Sequence, residues 1–329
     1  MLVDGFDVVA AGAGIELPRG SEVVDATGLT LIPGFIDAHV HIGFARPHDV
    51  IAGGVTTARD LAWPPEQIWP LVATAAAPSF DGPYLVAAGQ MLTVEGGYPT
   101  RAPWAPAGTG RVIRSPREVD AAVGEQVAKG ATVIKVALNA AVGPTLDLPT
   151  LRAVVEAAAA AELRVTAHIT GLDELHKALD AKVPELAHML MSDERIPDET
   201  IARMVGDGTT IVPTLSCRFE QDRQTAVDNL ARFFAAGGRV VYGTDLGNTG
   251  PKPGIDKREV GAMSEAGMTG REIVASATTQ SAPHLRLDRR GVLAAGMYAD
   301  LVAVKGDPSV DPLSATNVRM VWREGHRLR

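Results

Sequence analysis

Eight short apolar runs recur along this chain, at 31–38, 55–60, 84–89, 131–138, 164–168, 185–188, 210–215 and 240–244. Ala-rich amphipathic stretches at 116–129, 148–161, 172–182, 198–207 and 226–236 fill several of the gaps between them. Strands alternating with helices build parallel sheets, because each crossover must return the chain to the same end of the sheet. Eight such units predict a closed (β/α)8 TIM barrel rather than an open doubly wound sheet. Asp198 and Ser115-Pro116 read as helix starts, and Gly130 and Gly208 as stops.

The two ends depart from this rhythm. Residues 1–30 hold short strand fragments separated by Gly and Pro, and the tail carries strand-like runs at 299–304 and 317–322, split by Gly306-Asp307-Pro308. Neither end can bury a core alone. Together, residues 1–30 and 295–329 predict a small β-sandwich beside a barrel spanning 31–294. A length of 329 residues suits one principal domain, since such barrels take about 250 residues. With 46% hydrophobic but only 5% aromatic residues, the core is expected to be Ala, Val, Leu and Ile.

Composition also narrows the partners. The formal charge is −8 and basic residues are dispersed, which argues against nucleic acid. No apolar run approaches the roughly 20 residues of a membrane span. The single cysteine, Cys217, cannot form an intrachain disulfide, and the N-terminus lacks the pattern of a signal peptide. The expectation is a soluble, cytoplasmic protein acting on a small molecule, with a homo-oligomer left open.

The chemistry is concentrated at the ends of the strand-like runs. The first closes as Asp-Ala-His39-Val-His41, and alternation along a strand sends both imidazoles to one side, where they can grip one metal ion. Lys135 sits inside Ala-Thr-Val-Ile-Lys-Val-Ala-Leu. A buried ammonium there must pair, lose its charge or be chemically changed. His168 and His188 close the fifth and sixth runs, and Asp245 follows Val-Val-Tyr-Gly-Thr at the eighth. Singly, each histidine reads as readily as a core residue, and Asp245 as a helix cap. Two loops rich in Gly and Pro, 91–114 and 247–258, fall on the face where a barrel builds its pocket.

With these residues in place, the chain resembles the amidohydrolase superfamily over almost its full length. The matching features are His39-x-His41, Lys135, His168, His188 and Asp245. Flanking text matches as well: Val24-Asp25-Ala26-Thr27-Gly28, Gly54-Val55-Thr56-Thr57-Ala58-Arg59-Asp60, Gly243-Thr244-Asp245 and Gly296-Met297-Tyr298-Ala299-Asp300-Leu301-Val302. Within it, the chain is most similar to the imidazolonepropionase-related and Xaa-Pro dipeptidase-like branch. The resemblance implies two divalent metal ions. His39, His41 and Asp245 hold the first and His168 and His188 the second, with carbamylated Lys135 and a hydroxide bridging them. Zinc suits these donors, and manganese, cobalt or iron fit them too. Asp245 then takes the water's proton and delivers it to the leaving amine.

The expected activity is hydrolysis of an amide-type C–N bond in a dipeptide, an N-acyl amino acid or a cyclic amide. A lactonase or a mononuclear deaminase on the same scaffold is the alternative, although deaminases usually lack the lysine. A non-catalytic binding protein is the remaining reading. Tyr98, Arg101 and Arg218 lie on presumed pocket loops and are candidates for binding a substrate carboxylate. Tyr98 stands after Gly96-Gly97, where relatives often carry a histidine. His48, His176 and His326 read as surface residues, His284 as structural and Cys217 as non-catalytic.

Overall fold

The computed structural model describes residues 1–217 and 220–329. Among these, two parallel sheets carry the centre of the fold. One pairs β1 (Phe35–Val40), β2 (Val55–Asp60) and β3 (Tyr84–Ala87). The other runs from β4 (Ile134–Leu138) through β5 (Val165–Ile169), β6 (Glu185–Ala187) and β7 (Thr210–Val212) to β8 (Arg239–Val240). Strands Met91–Thr93 and Gly110–Val112 extend it beyond β4.

Hydrogen bonds join the sheets at both edges. Thr132 N–H donates to the Ala87 carbonyl at 3.0 Å, and Ala38 N–H donates to Tyr242 O at 3.0 Å. Past β8, Asp245 N–H donates to His39 O at 2.8 Å and His41 N–H to Leu246 O at 2.7 Å. The result is a parallel α/β arrangement of TIM-barrel type. Every residue of β1, β2, β4 and β5 is buried, as expected of strands covered on both faces. The helix stops at Gly130 and Gly208 take left-handed φ values of 96° and 71°, which glycine tolerates best.

The strand boundaries differ from the sequence expectation in two instructive places. The first apolar run is divided at Gly34. Leu29–Pro33 pairs antiparallel with Leu301–Lys305, whereas Phe35–Val40 is β1. Gly34 N–H donates to Asp300 O at 2.9 Å and Phe35 N–H to Gly54 O at 3.1 Å, so neighbouring residues serve different sheets. A Cβ on Gly34 would fall 2.1 Å from Thr56 Oγ1, so the handover needs glycine. The second place follows the third run: β3 pairs with β2 as a strand of that run, but Met91–Thr93, which the sequence assigned to the loop 91–114, is itself a strand and pairs with β4.

The two ends of the chain do meet. Leu29–Pro33, Leu301–Lys305, Val318–Arg323 and His326–Arg327 form an antiparallel sheet. The hairpin of Leu2–Asp4 and Asp7–Ala10 joins the chain at Ala299, whose N–H donates to Phe6 O at 2.8 Å. Arg323 fastens this sheet to the parallel core. Its fully buried guanidinium donates to Gly82 O at 2.8 Å, to Ala75 O at 3.2 Å and to Ala77 O, at the end of helix Pro65–Ala75.

At the start of β6 lies a second buried charge network. Glu185 accepts from Arg59 Nη2 at 2.5 Å and lies 2.5 Å from His284 Nε2. Burial alone raises its pKa, but Arg59 and His284 hold it well below the usual carboxylate range. His284 is thus structural, as its sequence context suggested.

Replacing Arg323 with Met keeps an apolar stem but removes its donors from Gly82 O and Ala75 O at the junction, Ala77 O keeping the hydrogen bond from Phe80 N–H. The expected loss is about 2–4 kcal/mol, because a buried acceptor without a donor costs about 1–3 kcal/mol. Urea denaturation should show a lower midpoint at an unchanged slope; an unchanged midpoint would remove Arg323 from the junction.

Candidate metal centre

The residues singled out at the strand ends converge. His39 and His41 leave β1 beyond a break in its register with β2 between Asp37 and Val40, a local feature that re-aims side chains near active sites. Both imidazoles meet one carboxylate oxygen. Asp245 Oδ1 is 3.2 Å from His39 Nε2 and 3.4 Å from His41 Nε2. The other oxygen, Oδ2, accepts from Asn248 Nδ2 at 2.7 Å and lies 3.9 Å from His188 Nδ1. Across the cluster, His188 Nε2 and His168 Nδ1 approach to 2.9 Å. Among the described residues, His39, His188 and Asp245 each place a ligand atom within 4.8 Å of the others, a grouping able to hold a metal ion.

The backbone is specially shaped here. His188 has φ 82°, Asp245 φ 58° and Thr214 φ 50°, left-handed values that cost a non-glycine residue about 1–3 kcal/mol. Such strain persists only where surrounding contacts over-determine it. Thr214 Oγ1 sits 2.7 Å from His188 Nδ1, and Asp245 N–H is spent on closing the barrel.

Electrostatics put His39, His188 and Asp245 in ligand-ready states, whereas at His41 burial is outweighed by the Asp245 carboxylate, which raises its pKa. Burial drives the pKa values of His39 and His188 well below the ordinary imidazole value, so both are neutral. Burial alone raises Asp245, but the surrounding imidazoles, His39 foremost, hold it well below the usual carboxylate range. Lys135 is fully buried, and burial lowers its ammonium pKa to about 7. Among the described residues its Nζ has no hydrogen-bond partner, nor does His39 Nδ1. Unpaired buried polar atoms are expensive, so a cluster of them fits a site built to receive a further group. Neutral imidazoles and an ionised carboxylate are the donor set for a borderline divalent cation.

The loop candidates separate. Tyr98 is stacked on His168, ring centroids 4.9 Å apart at 29°. Arg101 is exposed, its guanidinium beside Gly96. Arg218 lies outside the described residues. Cys217 is buried and its thiol donates to Thr214 O at 3.0 Å. His48 and His176 are exposed and hydrogen-bond to Asp81 and Thr200. Sequence reasoning passed over four supporting residues: Thr214, Asn248, Asn139 (Nδ2 3.4 Å from His168 Nε2) and Trp104, whose ring centroid is 5.1 Å from that of His41. Trp104 lay in a loop already marked as pocket-forming, but nothing in its local sequence ties it to His41.

Similar proteins carry the same architecture. Over 322 residues the chain is 27% identical to an uncharacterized protein of Mycobacterium tuberculosis, covering 86% of this chain and 80% of that one. An imidazolonepropionase of Deinococcus deserti is 36% identical over 102 residues, 30% of this chain and 25% of its own. A solved Xaa-Pro dipeptidase with bound methionine superposes with a TM-score of 0.83 at 26% identity, covering 99% of this chain and 93% of that one. Molinate hydrolase shares the fold at 0.83 and 21% identity, over 98% and 88% of the two chains. The amidohydrolase family pattern itself matches residues 30–328. The strand-end histidines, the buried lysine and this match agree: the chain belongs to the amidohydrolase family and is a metal-dependent hydrolase acting on carbon–nitrogen bonds.

Proposed function

We propose that the protein hydrolyses an amide-type C–N bond in a small molecule (a dipeptide, an N-acyl amino acid or a cyclic amide) at a binuclear metal centre. His39, His41 and Asp245 would hold one ion and His168 and His188 the other, with Lys135 bridging them as a carbamate. The observation that carries this reading is Lys135. A fully buried amine with no hydrogen-bond partner and a pKa near 7 spends much of its time neutral, and a neutral amine adds to carbon dioxide. The Nζ lone pair forms the N–C bond, one proton leaves to solvent, and the product is an anionic two-oxygen ligand. The similarity to a Xaa-Pro dipeptidase supports the amide assignment. Zinc is the proposed metal and the cytoplasm the proposed location; no described helix is long and apolar enough to cross a membrane.

When bound, divalent cations supply Lewis acidity toward the substrate carbonyl and make water acidic enough to attack at neutral pH. The chain's own residues do the rest. Asp245 Oδ2, oriented by Asn248 Nδ2, receives the water proton and returns it to the leaving nitrogen. The C–N bond breaks as the C–O bond forms, and one water is consumed per amide cleaved. Thr214 orients the ring of His188, as an outer hydrogen bond commonly does for a ligating histidine. We further read 1–33 with 295–329 as a small β-sandwich and 34–294 as the barrel, the boundary expected at 30/31 being carried past Pro33 by the pairing of Leu29–Pro33.

Elemental mass spectrometry on protein purified without chelator, with bicarbonate and zinc supplied, should find close to two metal equivalents. Lys135→Ala should lower this to one or fewer, and 13C-bicarbonate should give a carbamate resonance in the native protein but not the variant. Two equivalents in both would sink the bridging role. Asp245→Asn should lower kcat/KM by about 10³-fold against any amide the native enzyme cleaves, the scale of a lost general acid–base. A loss below about tenfold would move the proton transfer to another residue.

A further inference from the structure

A continuous row of aromatic rings runs from the protein surface to the histidine cluster. Phe44, which follows β1, is 47% exposed. Its ring centroid is 5.0 Å from that of Trp63, edge to face, and 6.1 Å from that of Trp104. Trp104 in turn lies 5.9 Å from Tyr98 and 5.1 Å from His41, and Tyr98 stacks on His168. Each of two rings proposed above as ligands, His41 and His168, is therefore faced by one aromatic side chain of a single loop.

A lone exposed Phe is unremarkable on a protein surface. This one has continuity with the site. A Cβ on Gly247 would fall 2.8 Å from Phe44 Cδ2 and 2.9 Å from His41 Cβ, so the loop after β8 closes tightly against the pair. A Cβ on Gly43 would strike the Trp63 ring at 2.3 Å. The chain spends glycines on bringing these rings together. It also spends scarce residues, since only 5% of the sequence is aromatic. The amide groups at the cluster, Asn139 and Asn248, come from the loops after β4 and β8, and within the row the polar edges of Tyr98 and Trp104 meet each other, leaving ring faces as its main surface. Arg101, which the sequence suggested as a carboxylate receptor on the aromatic loop, is exposed beside Gly96.

We infer that Phe44, Trp104 and Tyr98 form a specificity wall that selects amides bearing an aromatic group beside the scissile bond. This rests on the amide-hydrolase reading above. Aromatic rings reward a flat apolar partner through area burial and offset or edge-to-face contact, and a small polar substituent gains neither. The wall sets which amide is held; Asp245 and the histidines set what is done to it.

Binding can be read without turnover. Quenching of tryptophan fluorescence should show 3-phenylpropionamide binding about tenfold or more tightly than propionamide, within the range that hydrophobic pocket complementarity supplies. Phe44→Ser, at an exposed position, and Trp104→Ala should each cut that ratio below about threefold. Metal content should be unchanged in both variants. Equal binding of the two amides, or a ratio that survives both substitutions, overturns the wall. Hydrolysis of N-acetyl-L-phenylalanine and N-acetyl-L-alanine by metal-loaded protein separates the two proposals. Equal kcat/KM for the pair rejects the wall and leaves the hydrolase reading standing. Cleavage of neither, with the phenyl preference intact in binding, rejects these amides as substrates and leaves the wall.

Discussion

The hydrogen bond from Asp245 N–H to His39 O, at 2.8 Å, holds together both the fold and the site. It ties the segment after the last strand to the end of the first. The same contact brings Asp245 Oδ1 to His39 and His41. Asp37 reinforces the join by accepting from Thr244 Oγ1 at 2.6 Å. Without closure, residues two hundred positions apart in sequence would not share a carboxylate. The left-handed backbone at Asp245 is tolerated because closure and ligand clustering both require it.

Burial then sets the chemistry. A dry pocket favours neutral imidazoles and a neutral amine, and it penalises an isolated carboxylate. Asp245 stays ionised only because imidazoles surround it, while among the described residues Lys135 has no hydrogen-bond partner. Glu185, level with Lys135 because both are in register with Thr166, answers the same constraint differently. It is matched by Arg59 and His284, leaving a satisfied ion network with a structural role. The histidines and Asp245 collect at the carboxyl ends of the strands, where barrel enzymes in general place their reactivity.

Much of this was legible in the amino-acid order. His39 and His41 mark a strand end by their spacing, and His168 and His188 close apolar runs of the same kind. Lys135 stands out because no lysine belongs in a wholly apolar strand without a reason. Other features had no local signature. Pro33-Gly34 marks where β1 begins, but nothing in Leu-Thr-Leu-Ile says that residues 29–33 pair with the C-terminal segment instead. The strand Met91–Thr93 was hidden because it is short and opens a stretch rich in Gly and Pro that reads as a loop. Trp104, Phe44 and Asn248 sit in loops whose composition says only that they turn.

The sequence by itself determined the periodicity of strands and helices, the presence of candidate metal-binding side chains (five near strand ends and Lys135 within a strand), and the family they belong to. Those are local properties, written in hydrophobic alternation and in residue type. Only the tertiary structure decided which atoms meet: that one oxygen of Asp245 serves two histidines, that Lys135 is left unpaired, and that an aromatic row reaches from the surface to His41 and His168. Such contacts join loops from different strands, and their geometry follows from closing a twisted sheet on itself, which no short stretch of sequence encodes.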